Sequence, residues 1–125
     1  MIFVAKIEVL VFHRALLEQF GGQDGFLNEG ALDAALIAAE NRAWYEAAGL
    51  AECAATYAFH LASAHAFLDG NKRVAAAVAE TFVVMNGGAL EATDQELLDL
   101  FLAIAASRMP RSEVETWFRE HVVIR

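Results

Sequence analysis

The stretch LAECAATYAFHLASAHAFLDGNKRVAAAVAETFVVM, residues 50–85, decides the fold. It holds two apolar, alanine-rich runs, Leu50 to Phe67 and Lys72 to Met85, on either side of Asp69-Gly70-Asn71. Neither run contains a glycine or a proline, so each reads as an uninterrupted helix. The Gly-Asn pair separates them, and Asn86-Gly87-Gly88 is a firm stop after the second.

Working outward, Ala5 to Phe20 carries Ile7, Leu10, Val11, Ala15, Leu16, Leu17 and Phe20 in a pattern that predicts an amphipathic helix. Gly21-Gly22 ends it, and Gly25 and Asn28 mark a loop. Glu29 or Gly30 opens a helix to about Ala39, followed by a shorter one from Asn41 to Gly49. Downstream, Thr93 and Glu96 have the spacing of a capping box for a helix ending near Arg108. Pro110 interrupts, and Ser112 with Glu115 predicts the cap of a last helix through His121. Only the first dozen residues look strand-like. With 26 alanines and one proline among 125 residues, and no repeat or linker, the expectation is one all-α domain spanning residues 1–125.

Hydrophobic residues make up 58% of the chain and charged residues 21%, which excludes a disordered polypeptide. The net charge of −8 argues against a broad nucleic-acid surface, so any bound anion must be held by a local basic cluster. Cys53 is the only cysteine, which rules out an internal disulfide and predicts a small buried helix residue. Lys6 and Glu8 cut short the apolar opening, so no secretion signal is expected. The longest stretch without Asp, Glu, Lys or Arg, Cys53 to Leu68, is shorter than a membrane span. The expected compartment is the cytoplasm.

Chemistry concentrates in His65-Ala66-Phe67-Leu68-Asp69-Gly70-Asn71-Lys72-Arg73. An imidazole, a carboxylate, a glycine, an amide and two cations fall between two apolar helices. The second helix starts here, so its free N–H groups and the positive end of its dipole form an anion site. Gly70 leaves room for a phosphate, and Arg73 can grip phosphate oxygens bidentately. Asp69 suits Mg²⁺, a hard cation that shares its ligands with phosphate. His65 is placed to take a proton from an attacking hydroxyl.

These nine residues match the motif H-x-F-x-[DE]-[GA]-N-[KG]-R, and on them the chain resembles the Fic/Doc family in its Doc-like form. Ala54 to His60 leading into the motif, Gly21-Gly22, Asn86-Gly87 and the short final helix extend the resemblance over nearly the whole chain. It implies an all-α helical bundle with the motif loop between two central helices, and the toxin of a Phd–Doc type toxin–antitoxin pair. It further implies His65 as general base toward a target hydroxyl, Asp69 as the Mg²⁺ ligand, and Gly70 and Asn71 as the anion-binding turn. Lys72 and Arg73 would contact phosphate, and Phe67 would anchor the loop in the core.

AMP-transferring members of the family usually have proline where Ala66 stands and glycine where Lys72 stands. Lysine is the Doc-like choice and implies ATP bound in reverse, with the γ-phosphate passed to a translation factor of the elongation factor Tu type. Gly70 departs from Doc, which has alanine there. AMP transfer is the alternative chemistry, and a catalytically inactive binding module is the alternative of another class; the complete motif argues against the module. Thr116 to Glu120 fits five positions of the family's inhibitory pattern [ST]-x-x-x-E-[GN], but His121 fails the sixth. Restraint by a separate Phd-like antitoxin is therefore expected, with neither nucleic acid nor membrane as a partner. Outside the motif, His60 reads as a packed histidine and His13 and His121 as structural or surface residues. Trp44-Tyr45 and Trp117-Phe118 read as packing pairs, with the lining of a partner groove as the alternative for either.

Overall fold

The computed structural model describes every residue from Met1 to Arg125. Six helices run in order: α1 (Lys6–Phe20), α2 (Glu29–Glu46), α3 (Leu50–Ser63), α4 (Asn71–Met85), α5 (Asp94–Ala105) and α6 (Arg111–His121). Two short strands, β1 (Gly88–Leu90) and β2 (Val122–Ile124), pair antiparallel with Gly88 opposite Ile124. The all-α expectation holds. No helix is long and apolar enough to cross a membrane.

The sequence that reads most clearly as helix is also the centre of the molecule. Every residue from Cys53 to Ala58 on α3 is buried, and α3 packs against α2, α4, α5 and α6. Small side chains make this possible: Ala54, Ala55 and Ala58 on α3, and Ala75 and Ala79 on α4, are fully buried and let the backbones approach. Tyr57, Phe82, Phe118 and Leu32 fill the remaining space, each large burial stabilising by roughly 1.5–3 kcal/mol. The Tyr57 hydroxyl accepts from Val4 N–H, and burial pushes its pKa up to about 12.

Several expectations need correction. The two helices expected over residues 29–49 are one, α2, which closes only at Ala47 in a left-handed conformation (φ 53°). No breaker lies between Ala39 and Asn41, and Arg42 ties the middle of α2 to α3 and α6 by bonding Thr56 Oγ1 and Glu115. Helix α3 stops at Ser63, four residues before Phe67, because the chain there pairs with the loop before α2. Tertiary pairing overrides helix propensity at that point. The last helix begins at Arg111 with Pro110 as its N-cap; Ser112 caps nothing, and Glu115 instead faces Arg42, Arg111 and Arg119.

The amphipathic face of α1 is also turned. Val9 and His13 are its buried residues, whereas Ile7 and Val11 are more than half exposed. Trp44 and Tyr45 do not pack: they are 78% and 84% exposed on the last turn of α2. Trp117 and Phe118 do pack, with Phe118 fully buried. The strand-like amino terminus pairs with no strand; Asn86 holds Ile2 through bonds to both its N–H and its carbonyl. The capping box of α5 forms as expected, Thr93 Oγ1 accepting from Glu96 N–H at 3.1 Å.

Candidate active site

The motif loop between α3 and α4 is built by bonds that reach outside it. Ala66 carbonyl accepts from Leu27 and Asn28 N–H, and Leu68 N–H donates to the Gly25 carbonyl. These close an isolated antiparallel bridge between Phe67 and Phe26, so the loop after α1 lies alongside the motif. Phe67 is buried and stacks on His13 and on Phe26, with ring centroids 3.8 Å and 5.3 Å away. It anchors the loop in the core.

Asn71 completes this arrangement. Its Oδ1 accepts from Phe67 N–H at 3.0 Å and its Nδ2 donates to the Phe67 carbonyl at 2.9 Å. No other protein group bonds either atom of Phe67. The amide side chain is therefore turned back into the loop, and the backbone N–H of Asn71 and the second Nδ2 hydrogen are left without a protein acceptor. Gly70 supplies the turn: it sits at φ 85°, where a side chain is strained.

The amino terminus of α4 is uncapped. Val74 N–H bonds the Gly70 carbonyl, but the N–H groups of Asn71, Lys72 and Arg73 have no protein acceptor. Lys72 and Arg73 are exposed, and neither pairs with a carboxylate. Arg73 instead lies over the ring of Phe20, 4.3 Å from its centre. An open pocket of about 360 Å³ is lined on one side by Asp69 to Arg73 and Ala76, and on the other by Leu97, Leu98 and Phe101 of α5. One wall offers N–H donors and cations, the facing wall apolar side chains. That combination suits a phosphate joined to a flat organic group.

Asp69 is exposed at the pocket edge, and its Oδ2 accepts from Gln23 N–H at 2.7 Å. Its Oδ1 has no protein partner. No three acidic, histidine or cysteine side chains gather anywhere as a ready-made metal cage. A cation here would have one protein carboxylate and would draw its other ligands from phosphate and water, which is how Mg²⁺ is commonly held.

His65 is expected at the end of the preceding helix, and that helix ends two residues before it. It lies beyond the end of α3, is exposed, and adopts a left-handed backbone at φ 50°. It is not among the residues lining the pocket, so the structure gathers Asp69, Gly70, Asn71, Lys72 and Arg73 into one wall and leaves His65 outside it. A non-glycine residue at positive φ is uncommon, and such geometry clusters at functional sites.

The other histidines divide. Burial, with Arg111 and Arg42 adding to it, pushes the His60 imidazole below its ordinary value, which keeps it neutral and packed. His121 stacks on Trp117 at 3.9 Å and lies 3.1 Å from Glu96 Oε2. Of the two readings given for His13, structural or surface, the structure shows the first: it is buried beneath the motif loop. Its spacing of four from Val9 puts both on one face of α1, the only sequence signal of that placement. Phe20, Gln23 and the α5 wall carry no such signal, because their partners are distant in sequence.

Comparison with known proteins accords with this geometry. The model of the Fic/DOC family matches residues 4–83, a span that contains α1 to α3, α4 as far as Val83, and the whole motif. The chain belongs to the Fic/DOC family. It is also similar to the protein kinase doc of Escherichia phage P1, with 31% identity over 118 residues, covering 93% of this chain and 92% of that protein.

Proposed function

We propose that this chain is a Doc-like protein kinase, the toxin of a toxin–antitoxin pair, which transfers the γ-phosphate of ATP to a hydroxyl of a translation factor of the elongation factor Tu type. The carrying observation is the uncapped start of α4, where three unbonded N–H groups and the unpaired Lys72 and Arg73 face one pocket. Similarity to a phage protein kinase over nearly the full chain supports phosphoryl transfer specifically.

In this reading the α4 N–H groups and Arg73 bind phosphate oxygens, and Leu97, Leu98 and Phe101 offer apolar cover to the rest of the nucleotide. Asp69 would hold Mg²⁺ through its unbonded Oδ1, and the ion would neutralise charge developing on the phosphates. His65 takes the proton of the incoming hydroxyl as that oxygen bonds to the γ-phosphorus. The bond from the γ-phosphorus to the bridging oxygen breaks, leaving a phosphoester on the target and ADP. The exposed position of His65 leaves it open to a protein substrate. Restraint would come from a cognate Phd-like antitoxin.

The test is incubation of the chain with elongation factor Tu and ATP labelled at either the α- or the γ-phosphate. Label from γ-labelled ATP alone is expected. Lys72→Gly should weaken that transfer. Label from α-labelled ATP alone would overturn kinase chemistry in favour of AMP transfer, and no label from either would point to a binding module.

A further inference from the structure

The buried imidazole of His13 on α1 has no part in the chemistry above. The residue is 4% exposed, and its Nε2 lies 2.9 Å from the carbonyl oxygen of Asp69. A carbonyl only accepts, so Nε2 carries the hydrogen. No other protein donor reaches that carbonyl. The ring lies nearly parallel to Phe67, at 15°, and sits beneath Gly70, where an added Cβ would come within 3.6 Å of it. Asp69 is thus held at two points, its carbonyl by α1 and its carboxylate by Gln23 N–H.

We propose that His13 is a positioning residue, whose Nε2–H fixes the Asp69–Gly70 peptide plane and thereby aims the Asp69 carboxylate and the free N–H groups of α4 at the phosphate site. The inference rests on the proposed function in one respect: the groups being aimed are those assigned to Mg²⁺ and phosphate. An aliphatic residue would fill the same space but leave the Asp69 carbonyl without a donor. A phenylalanine would keep the stack on Phe67 and still lose the bond. The role belongs to the N–H, not to the bulk.

The experiment compares the full chain with His13→Phe, which keeps the stack, and His13→Gln, which keeps an N–H donor at about the same reach. Nuclear magnetic resonance of the chain without nucleotide reads the ring tautomer of His13 and the exchange of the Gln23 amide proton, the reporter of the Asp69 carboxylate. Calorimetric titration with MgATP reads affinity. Expected are an Nε2–H ring in the wild type, and in His13→Phe about tenfold faster Gln23 exchange and about tenfold weaker MgATP binding. His13→Gln should return both toward wild type. An Nε2 without hydrogen overturns the proposal, and needs no variant to fold. Unchanged Gln23 exchange in His13→Phe overturns it as well. If the wild type binds no MgATP while Gln23 exchange still follows the donor, the nucleotide assignment fails and the positioning role stands.

Discussion

Asn71→Ala should be among the costliest single changes in the motif, for a reason unconnected with catalysis. The Asn71 side chain is the sole protein partner of both the N–H and the carbonyl of Phe67, at 3.0 Å and 2.9 Å. Phe67 is only 3% exposed, so solvent does not readily replace those bonds. Each orphaned buried group costs roughly 1–3 kcal/mol. Alanine's better helix propensity returns about 0.5 kcal/mol at the first position of α4. The net loss is about 1.5–5.5 kcal/mol, a large fraction of the roughly 5–15 kcal/mol that stabilises an ordinary domain. Urea unfolding followed by far-ultraviolet circular dichroism measures it. Asn41→Ala, on an exposed position of α2 with no side-chain bond, serves as the control and should stay within about 0.5 kcal/mol of wild type. A cost for Asn71→Ala no larger than that control would refute the reasoning and return the amide to the anion site.

Three other outcomes are expected. His65→Ala should lower γ-phosphate transfer by about 10²–10⁴ while leaving urea unfolding nearly unchanged, since the residue is exposed; transfer at wild-type rate would remove His65 as the base. Phe20→Ala should weaken MgATP binding by about two- to fivefold, the size of an exposed cation–π contact, because the ring under Arg73 is lost; an unchanged affinity would show that the stack does not prepare Arg73. His60 should make stability depend on pH. Its folded pKa is depressed, so the unfolded chain binds the proton first, and stability falls as pH drops from about 6.5 toward the folded value. The slope in that window is at most one proton, about 1.4 kcal/mol per pH unit, and His60→Gln should remove it. An identical pH profile in wild type and His60→Gln would count against this.

Much of this was legible because the central features are local. The breaks at Gly21-Gly22 and Asn86-Gly87, the Thr93–Glu96 box and the start of α4 all depend on residues within a turn of one another, and all appear close to where the sequence places them. The end of α3 does not. Nothing between Ser63 and Phe67 disfavours helix; the chain leaves it because Gly25, Leu27 and Asn28, some forty residues away, take up its backbone groups. The same holds for α1, where Ile7 and Val11 make as plausible an apolar stripe as Val9 and His13. Which stripe is buried depends on α4, which α1 packs against. The site divides along the same line: its charged wall is contiguous in sequence and readable, whereas His13, Gln23 and the α5 wall are assembled by the fold.

The electrostatics of that charged wall run against the rest of the molecule. In a chain of net charge −8, Lys6, Arg42, Arg111, Arg119 and Arg125 all find carboxylate partners. Arg14, Lys72, Arg73 and Arg108 find none, and of these only Lys72 and Arg73 stand side by side. These two also lie on the first turn of α4, where the helix dipole disfavours positive charge by roughly 0.3–1 kcal/mol per residue. A fold selected for stability alone would place acidic residues on that turn, as α5 does with Asp94 and Glu96. Two cations, three unbonded N–H groups and a dipole end of the same sign accumulate a local cost that the Arg73–Phe20 contact offsets in part and a bound anion would reverse. Where a sequence breaks a local rule without full compensation inside the fold, the compensation is expected from a ligand. On that argument anions should stabilise the free protein, phosphate weakly and MgATP strongly. Lys72 and Arg73 should then matter more to that stabilisation than to the stability of the unliganded chain.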